Sequence, residues 1–307
     1  MNDSAYWDLH SRAVQALHEA RLTEAEDTFI AARREAESRG LSSLADRAYC
    51  NWAATRIAMG RAAGLRDGLS RILGQSADPK ARQLASYYLA VTHCNAGSVR
   101  PAQFYLEMSK RQAEHLRDRQ AQASNSNLLG LLRMQESRLD LAAESLRESL
   151  EISTRAGEYR NALVTMSTLG YCLSLQGSLN EGLWMLEEAQ GALTAPDWKV
   201  YEPTVRLNLG FSYLEMGDID ESIEQGKAAL KSVEGQGFIE EERFAYYLLG
   251  EAHAQRKDKG EAKEYFDILQ NAFYPQYPEL AETLLDVRTS RWLNWLGSDP
   301  LSKRRIR

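Results

Sequence analysis

The chain has 307 residues, of which 44% are hydrophobic and 26% charged, and its formal net charge is −6. This apolar content is too high for a disordered chain, and no apolar run approaches the ~18 residues needed to cross a bilayer. The three cysteines are an odd number at wide separations, which indicates neither a disulfide framework nor a CxxC metal site. We therefore expect a cytoplasmic protein without a cofactor and without a membrane partner.

The charge is distributed unevenly along the chain. Residues 1–118 carry a net charge of +2, residues 119–298 carry −11, and residues 299–307 carry +3. Because the acidic second half repels phosphate, we expect no nucleic-acid partner, and the same acidity favours a partner with basic character. The alternative is that the excess charge only solvates the surface.

Small residues recur inside apolar stretches with a period close to 40 residues. Successive markers lie 40, 37, 40, 40, 40 and 40 residues apart, at Ala13, Ala53, Ala90, Gly130, Gly170, Gly210 and Gly250. A second small residue usually follows a marker by twelve positions, and a large apolar residue usually follows it by sixteen. This spacing predicts two helices that approach closely at the small residues, so each repeat is predicted to be a helical hairpin.

The pattern predicts an all-α fold of about seven such hairpins. In chain order, the repeats fall at about residues 3–40, 41–78, 80–118, 119–157, 158–197, 199–237 and 238–274. The second repeat is the weakest, because its second helix carries Gly64 and Gly68 and has Leu65 at the small position. A short or bent helix is expected there.

The end of the chain has two predicted parts. After the last repeat, residues 278–297 predict a helix that caps the final apolar face of the array. We therefore expect residues 1–298 to form a single solenoid domain. The last residues, 299–307, form a basic tail that we expect to be disordered.

The strongest repeat phrase reads Leu209-Gly210-x-x-Tyr213-x-x-x-Gly217-Asp218, followed by Ser222 and Ala229. This phrase resembles the tetratricopeptide repeat motif, although the period is 40 rather than ~34 and the helix-ending proline is missing. Such long repeats are similar to those of kinesin light chain, the LGN adaptor and the sensor domains of bacterial regulators. The resemblance covers nearly the whole chain, and it implies a right-handed superhelical solenoid that holds another protein or a peptide in its concave groove.

The resemblance also implies which residues bind the partner, because the first helix of each hairpin lines the groove in this family. The positions that match are Tyr87, Val91, Asn95, Asn127, Leu131, Met134, Gln135, Tyr171, Ser174, Asn208, Phe211, Glu215, Tyr247 and Glu251. Aromatic rings supply buried area, and amides can donate to and accept from a peptide backbone. The alternative is that these rings only pack against the neighbouring repeat.

One known ligand class of the family is not expected here. Family members use a Lys and Asn clamp for C-terminal carboxylates of chaperones, whereas His10 and Val14 stand where the first clamp pair would be. We therefore expect that a C-terminal acidic tail is not the ligand.

No group of residues predicts catalysis or metal binding. His93 and His253 stand three positions after their markers, where the family has Tyr, so they are interpreted as packing residues. The sequence contains neither a GxxxxGK[ST] phosphate loop nor a GxGxxG fingerprint. We therefore expect that the chain is not an enzyme.

Two functions from different classes follow. The leading hypothesis is a scaffold or adaptor that binds a protein or peptide segment in the groove. The alternative is a regulatory sensor subunit that binds a peptide or partner and controls a separately encoded effector, such as a protease or a transcription factor. A third hypothesis is self-assembly through the exposed ends of the array, and the sequence predicts no particular oligomeric state.

Overall fold

The computed structural model describes residues 4–194 and 196–286. These residues form fifteen α-helices and one 3-10 helix, Pro196–Tyr201, and no strand occurs among them. The predicted all-α fold is therefore confirmed. The C-terminal half of the predicted capping helix and the whole basic tail lie outside the described residues.

The helices are named α1 to α15 in chain order. Their bounds are α1 Ser4–His18, α2 Leu22–Ser38, α3 Ser42–Ala58, α4 Leu65–Gln75, α5 Pro79–Asn95, α6 Val99–His115, α7 Arg119–Gln135, α8 Leu139–Ala156, α9 Tyr159–Leu175, α10 Leu179–Gly191, α11 Glu202–Met216, α12 Ile219–Val233, α13 Ile239–Gln255, α14 Lys259–Phe273 and α15 Leu280–Asp286. Most are 15 to 18 residues long, and short turns join the two helices of each hairpin.

Contacts between Cα atoms divide the described chain into two compact units, residues 4–162 with 196–200 and residues 163–194 with 201–286. In the first unit each helix from α1 to α8 packs against the next one, and α5 also contacts α3 and α7. In the second unit each helix from α10 to α15 packs against the next one, and α11 also contacts α13. Within each unit, consecutive hairpins therefore place their first helices side by side. The single solenoid over residues 1–298 stays a prediction.

The small residues of the repeat permit close helix contact, as α9 and α10 illustrate. A Cβ atom placed on Gly170 would lie 2.7 Å from the carbonyl oxygen of Gly182, and one placed on Gly182 would lie 2.5 Å from the carbonyl oxygen of Gly170. Neither distance is tolerable for a carbon atom against backbone. The two backbones therefore touch at the marker and at the position twelve residues later.

The second repeat differs from the others in the expected way. Its second helix, α4, has only 11 residues, whereas α2 and α6 each have 17. The sequence suggested that a small packing residue was absent here, but Gly68 fills that role, because a Cβ atom on it would overlap the Tyr49 ring. Tyr49 is buried as a result and belongs to the core of this repeat with Leu65 and Leu69.

Aspartate caps fix the starts of α5 and α7, the two helices that matter most below. Asp78 accepts a hydrogen bond from the Lys80 backbone N–H at 3.1 Å and pairs with Arg47 of α3. Asp118 accepts one from the Ala121 N–H at 2.9 Å and pairs with Lys80 of α5. Each cap also ties one repeat to the next, and replacing such a cap with alanine typically costs about 1 kcal/mol.

Glu241 in the first turn of α13 makes stability depend on pH. Burial raises the pKa of Glu241 to about 7, the neighbouring Glu240 carboxylate adds to the rise, and Arg243 opposes it. Its Oε2 atom is buried without a hydrogen-bond partner. Since the folded pKa lies above the unfolded value of 4.5, the favourable contribution is complete below pH 4.5 and is lost as the pH rises through about 7.

We therefore expect Glu241→Gln to raise the free energy of unfolding by about 2–3 kcal/mol at pH 8 and to have little effect at pH 4.5. Urea unfolding of both chains at the two pH values measures this difference. Glu224→Gln, which changes an exposed glutamate of α12, serves as the control. Equal gains for Glu241→Gln at both pH values would contradict the proposed titration.

Candidate functional site

The residues assigned to a partner-binding groove all lie on the first helices of their hairpins. In the first unit these helices are α5 and α7. Five of the assigned side chains there are half-buried and one, Asn95, is exposed. We call these six the α5–α7 face: Tyr87, Val91, Asn95, Asn127, Leu131 and Gln135. Met134 is different, because only 1% of its surface is exposed and it lies in the core.

The apolar members of the α5–α7 face sit on a well-packed base. Tyr87, Val91 and Leu131 are partly buried against a cluster that includes Leu128 and Leu132. Since this base is formed by the two adjoining helices, the exposed parts of the three side chains are held in fixed positions. The face is therefore a preformed apolar surface rather than a set of mobile side chains.

An amide connects the two helices at one end of this face. The Gln135 Nε2 atom donates to the Cys94 carbonyl oxygen at 3.1 Å and lies 3.2 Å from the Cys94 sulfur. Burial raises the pKa of the Cys94 thiol to about 12, with the Gln135 hydrogen bond opposing the rise. The thiol is therefore protonated and unreactive at neutral pH. Gln135 acts first as an inter-repeat contact.

In the second unit, the equivalent positions carry a row of buried rings. Tyr171 of α9, Phe211 of α11 and Tyr247 of α13 are each at most 4% exposed. Their ring centroids lie 6.3 Å apart between Tyr171 and Phe211 and 6.2 Å apart between Phe211 and Tyr247. Tyr247 continues to Phe266 of α14 at 6.3 Å. We call these four residues the aromatic ladder.

The polar residues assigned to the groove in the second unit are also mostly buried. Asn208 is fully buried, and its Nδ2 atom donates to the Ser167 hydroxyl at 2.8 Å. Ser174 is 3% exposed and donates to the Gly170 carbonyl oxygen at 3.1 Å, and Glu251 is 2% exposed. Glu215 alone is half-buried. Burial raises the pKa of Tyr171, and the Glu215 carboxylate adds to the rise.

Inter-repeat hydrogen bonds at a spacing of 41 residues were not foreseen. Asn208 reaches Ser167, and Asn51 reaches His10 with 3.0 Å between Asn51 Nδ2 and His10 Nε2. Both asparagines stand two residues before a marker, and both partners stand three residues before the previous marker. The signal was therefore present in the sequence, as an amide that follows a polar residue at the repeat length plus one.

The same register positions thus differ between the two units. On α5 and α7 they leave apolar side chains and amides half-exposed. On α9, α11 and α13 they are filled by the aromatic ladder and by Asn208. A ligand can contact the first set directly, whereas the second set is accessible only after rearrangement of packed side chains.

The histidines at the tyrosine position of the repeat are packing residues in both cases. His93 stacks on Tyr105 with ring centroids 5.6 Å apart, and His253 lies 5.4 Å from Tyr265. Burial lowers the pKa of both histidines. Throughout residues 4–194 and 196–286, no three His, Cys, Asp or Glu side chains come close enough to hold a metal ion. In the same residues, every helix is too short or too polar to cross a bilayer.

Comparisons with known proteins agree with this architecture. A family model described as tetratricopeptide repeat matches residues 245–267, which cover most of α13 and half of α14. A solved structure of a Rap protein complexed with competence and sporulation factor superposes with a TM-score of 0.72 over 96% of this chain and 85% of that chain, at 13% identity. The fold is that of a tetratricopeptide-repeat protein. A search of curated protein sequences finds no match.

Two further tetratricopeptide-repeat structures are similar over most of the chain. NprR in complex with its cognate peptide NprX has a TM-score of 0.61 at 15% identity, over 93% of this chain and 82% of that one. A signal transduction ATPase from Pyrococcus horikoshii, with a tetratricopeptide repeat sensor, has a TM-score of 0.62 at 16% identity. It aligns with 92% of this chain, which spans only 43% of the ATPase. The resemblance to bacterial regulators that the repeat length suggested is therefore confirmed at the level of fold.

Proposed function

We propose that this chain binds a peptide or an extended protein segment on the α5–α7 face. The observation that carries the proposal is the difference in burial: Tyr87, Val91 and Leu131 stay half-exposed at positions that are closed on α9, α11 and α13. Two proteins of the same fold, Rap and NprR, are described in complex with a factor or a peptide. Both facts support a role in binding.

The chemistry of the face suits a segment with apolar side chains and free backbone amides. The three apolar residues supply area for side-chain burial, and Asn95 and Asn127 lie beside them with amides that donate and accept. Because packed helices hold the face, little side-chain ordering is required on binding, which favours affinity. In this role the chain acts without a cofactor and is not an enzyme. Its partner is a protein or a peptide rather than nucleic acid, and the complex forms in the cytoplasm.

A regulatory sensor is the second candidate. Support comes from the fold similarity to a signal transduction ATPase whose tetratricopeptide repeats are described as a sensor. In that role the bound peptide would alter contacts between the chain and a separately encoded effector. Copurification of an effector from the native cells, released or retained according to the peptide added, separates the sensor from a scaffold.

We expect the double variant Val91→Arg with Leu131→Arg to weaken peptide binding at least tenfold, because it places two charges on the apolar part of the face. Peptides for the measurement come from selection of a displayed random 12-residue library on the full chain. Fluorescence anisotropy of the best selected peptide then gives the dissociation constants. Both positions are half-exposed, so the arginine side chains can extend into solvent and leave the fold intact.

The matched control is Phe104→Arg, which places a charge on an exposed apolar residue of α6 instead. This control is expected to bind the selected peptide with unchanged affinity. Circular dichroism of each variant verifies that the helices are retained. If the double variant folds and still binds with the original affinity, the α5–α7 face is not the binding site.

A further inference from the structure

Trp184 on α10 is an exposed tryptophan in the second unit, with 58% of its surface accessible. A single exposed aromatic residue is ordinary and needs no explanation. The surroundings of Trp184 are not ordinary, because they combine an uncovered indole with a concentration of carboxylates.

Three glutamates share the helix face of Trp184. Glu181 precedes it by three residues, and Glu187 and Glu188 follow it by three and four residues, so all three are its neighbours on the α-helix surface. All three are exposed. The indole is therefore flanked by carboxylates at both ends of its helix face.

The adjoining helix α11 extends this acidic surface. The Tyr213 hydroxyl donates to Glu187 Oε1 at 3.0 Å. Burial, the Glu187 carboxylate and the nearby Glu221 and Asp218 together raise the pKa of Tyr213 to about 12. Tyr213 thus remains a neutral hydrogen-bond donor that fixes the position of Glu187.

The cations of this region are engaged elsewhere. Arg206 pairs with Glu202 at 2.7 Å, and Arg256 pairs with Asp220 and Asp258 at 3.3 and 3.6 Å. Within residues 4–194 and 196–286, Glu187 forms no ion pair with any of them. The negative charge beside the indole is therefore not neutralised by this part of the chain.

Phe104 of α6 provides an internal comparison, because it occupies the same repeat position, fourteen residues after its marker. It is 62% exposed, about as much as Trp184. Its helix neighbours are different: Arg100 precedes it by four residues, and the carboxylate of Glu107 is paired with Arg111 at 3.0 Å. Aromatic exposure thus recurs at this position, whereas the uncompensated acidity belongs to Trp184 alone of the two.

We infer that the Trp184 face, formed by Glu181, Trp184, Glu187 and Glu188 of α10 with Tyr213 of α11, docks an arginine-bearing segment of a partner protein. A guanidinium group can stack on the indole and at the same time donate paired N–H groups to a neighbouring carboxylate. Phosphate-bearing partners are disfavoured, because the carboxylates repel them. The inference is independent of the α5–α7 face and uses different helices.

The test uses a fluorescent hexa-arginine peptide and the full chain, with anisotropy read at physiological ionic strength. Trp184→Ala leaves every charge in place and is expected to weaken binding about fivefold, the size of an ordinary cation–π contribution. Phe104→Ala, the matched control, is expected to bind unchanged. Glu187→Gln with Glu188→Gln is expected to weaken binding further, and a hexa-lysine peptide is expected to bind more weakly than hexa-arginine.

Three results would overturn the inference. Retention of full affinity by Trp184→Ala would mean that the peptide is held by general charge attraction. An equal loss in Phe104→Ala would mean that the position of the aromatic residue does not matter. A loss in Val91→Arg with Leu131→Arg, while Trp184→Ala binds normally, would place the peptide on the α5–α7 face. Since the selected 12-residue peptide tests that face separately, the two proposals can fail independently.

Discussion

Replacing Phe211 with alanine is expected to lower the free energy of unfolding by about 3–5 kcal/mol, the usual cost of removing a buried phenylalanine. Phe211 is 4% exposed and lies between the Tyr171 and Tyr247 rings of the neighbouring repeats. Its loss leaves a cavity at the junction of three repeats, and packed helices can close such a cavity only in part. Urea unfolding followed by circular dichroism measures the change in midpoint.

The control for Phe211→Ala is Phe104→Ala, because that phenylalanine is exposed and its removal creates no cavity. We expect this control to change the free energy of unfolding by no more than about 0.5 kcal/mol. Repeat arrays can unfold in stages, so the slope of the transition must be compared as well as its midpoint. An unchanged midpoint for Phe211→Ala would show that the aromatic ladder does not hold the repeats together.

Replacing Gly182 with alanine is expected to destabilise the chain by about 2–3 kcal/mol, although the change adds a single methyl group. The new carbon would lie 2.5 Å from the Gly170 carbonyl oxygen and 2.9 Å from the Ser174 backbone nitrogen. Both are backbone atoms, so relief requires α9 and α10 to move apart. The measurement is again the urea midpoint of the full chain.

Gly74→Ala is the matched control for this second substitution. Gly74 also lies within a helix, α4, but a Cβ atom there meets nothing within 4 Å. Because alanine favours helix over glycine, the control is expected to be neutral or to stabilise by up to about 1 kcal/mol. If both alanine variants behave alike, the close approach of α9 and α10 is not needed for stability.

Much of this fold could be predicted from the sequence, because a repeat writes the same packing rule several times. The 40-residue spacing of Ala and Gly markers predicted hairpins with close backbone contact, and Gly170 with Gly182 provides that contact. The weak second repeat was also predicted, from Gly64 and Gly68. The role of Gly68 was not, because only the structure shows that the Tyr49 ring lies on it.

The candidate site was less predictable for a physical reason. Tyr87 and Tyr171 occupy related positions on amphipathic helices, and the sequence around each is typical of an inward stripe. Whether such a ring faces a ligand or the next repeat depends on the residue that the adjoining helix brings opposite it. Phe211 covers Tyr171, whereas Tyr87 keeps a half-exposed ring, and neither outcome can be deduced from one helix alone.

Amides misled the sequence prediction in the same way. Asn208 was expected to bind a peptide backbone, but its Nδ2 atom is used by Ser167 of the previous repeat. Gln135 is likewise joined to Cys94. A periodic amide satisfies a neighbouring repeat as readily as it satisfies a ligand, so the binding roles of both residues stay predictions. Asn95, which is exposed, is the amide best placed to meet a partner.

The most direct test of the binding role is site-specific photo-crosslinking of the selected peptide to the full chain. A photoreactive phenylalanine derivative is introduced in place of Leu131 in one sample and in place of Phe104 in another, and mass spectrometry identifies the adducts. Binding on the α5–α7 face predicts a peptide adduct at position 131 and none at position 104. A chain that still binds the peptide by anisotropy but gives no adduct at position 131 would contradict the account.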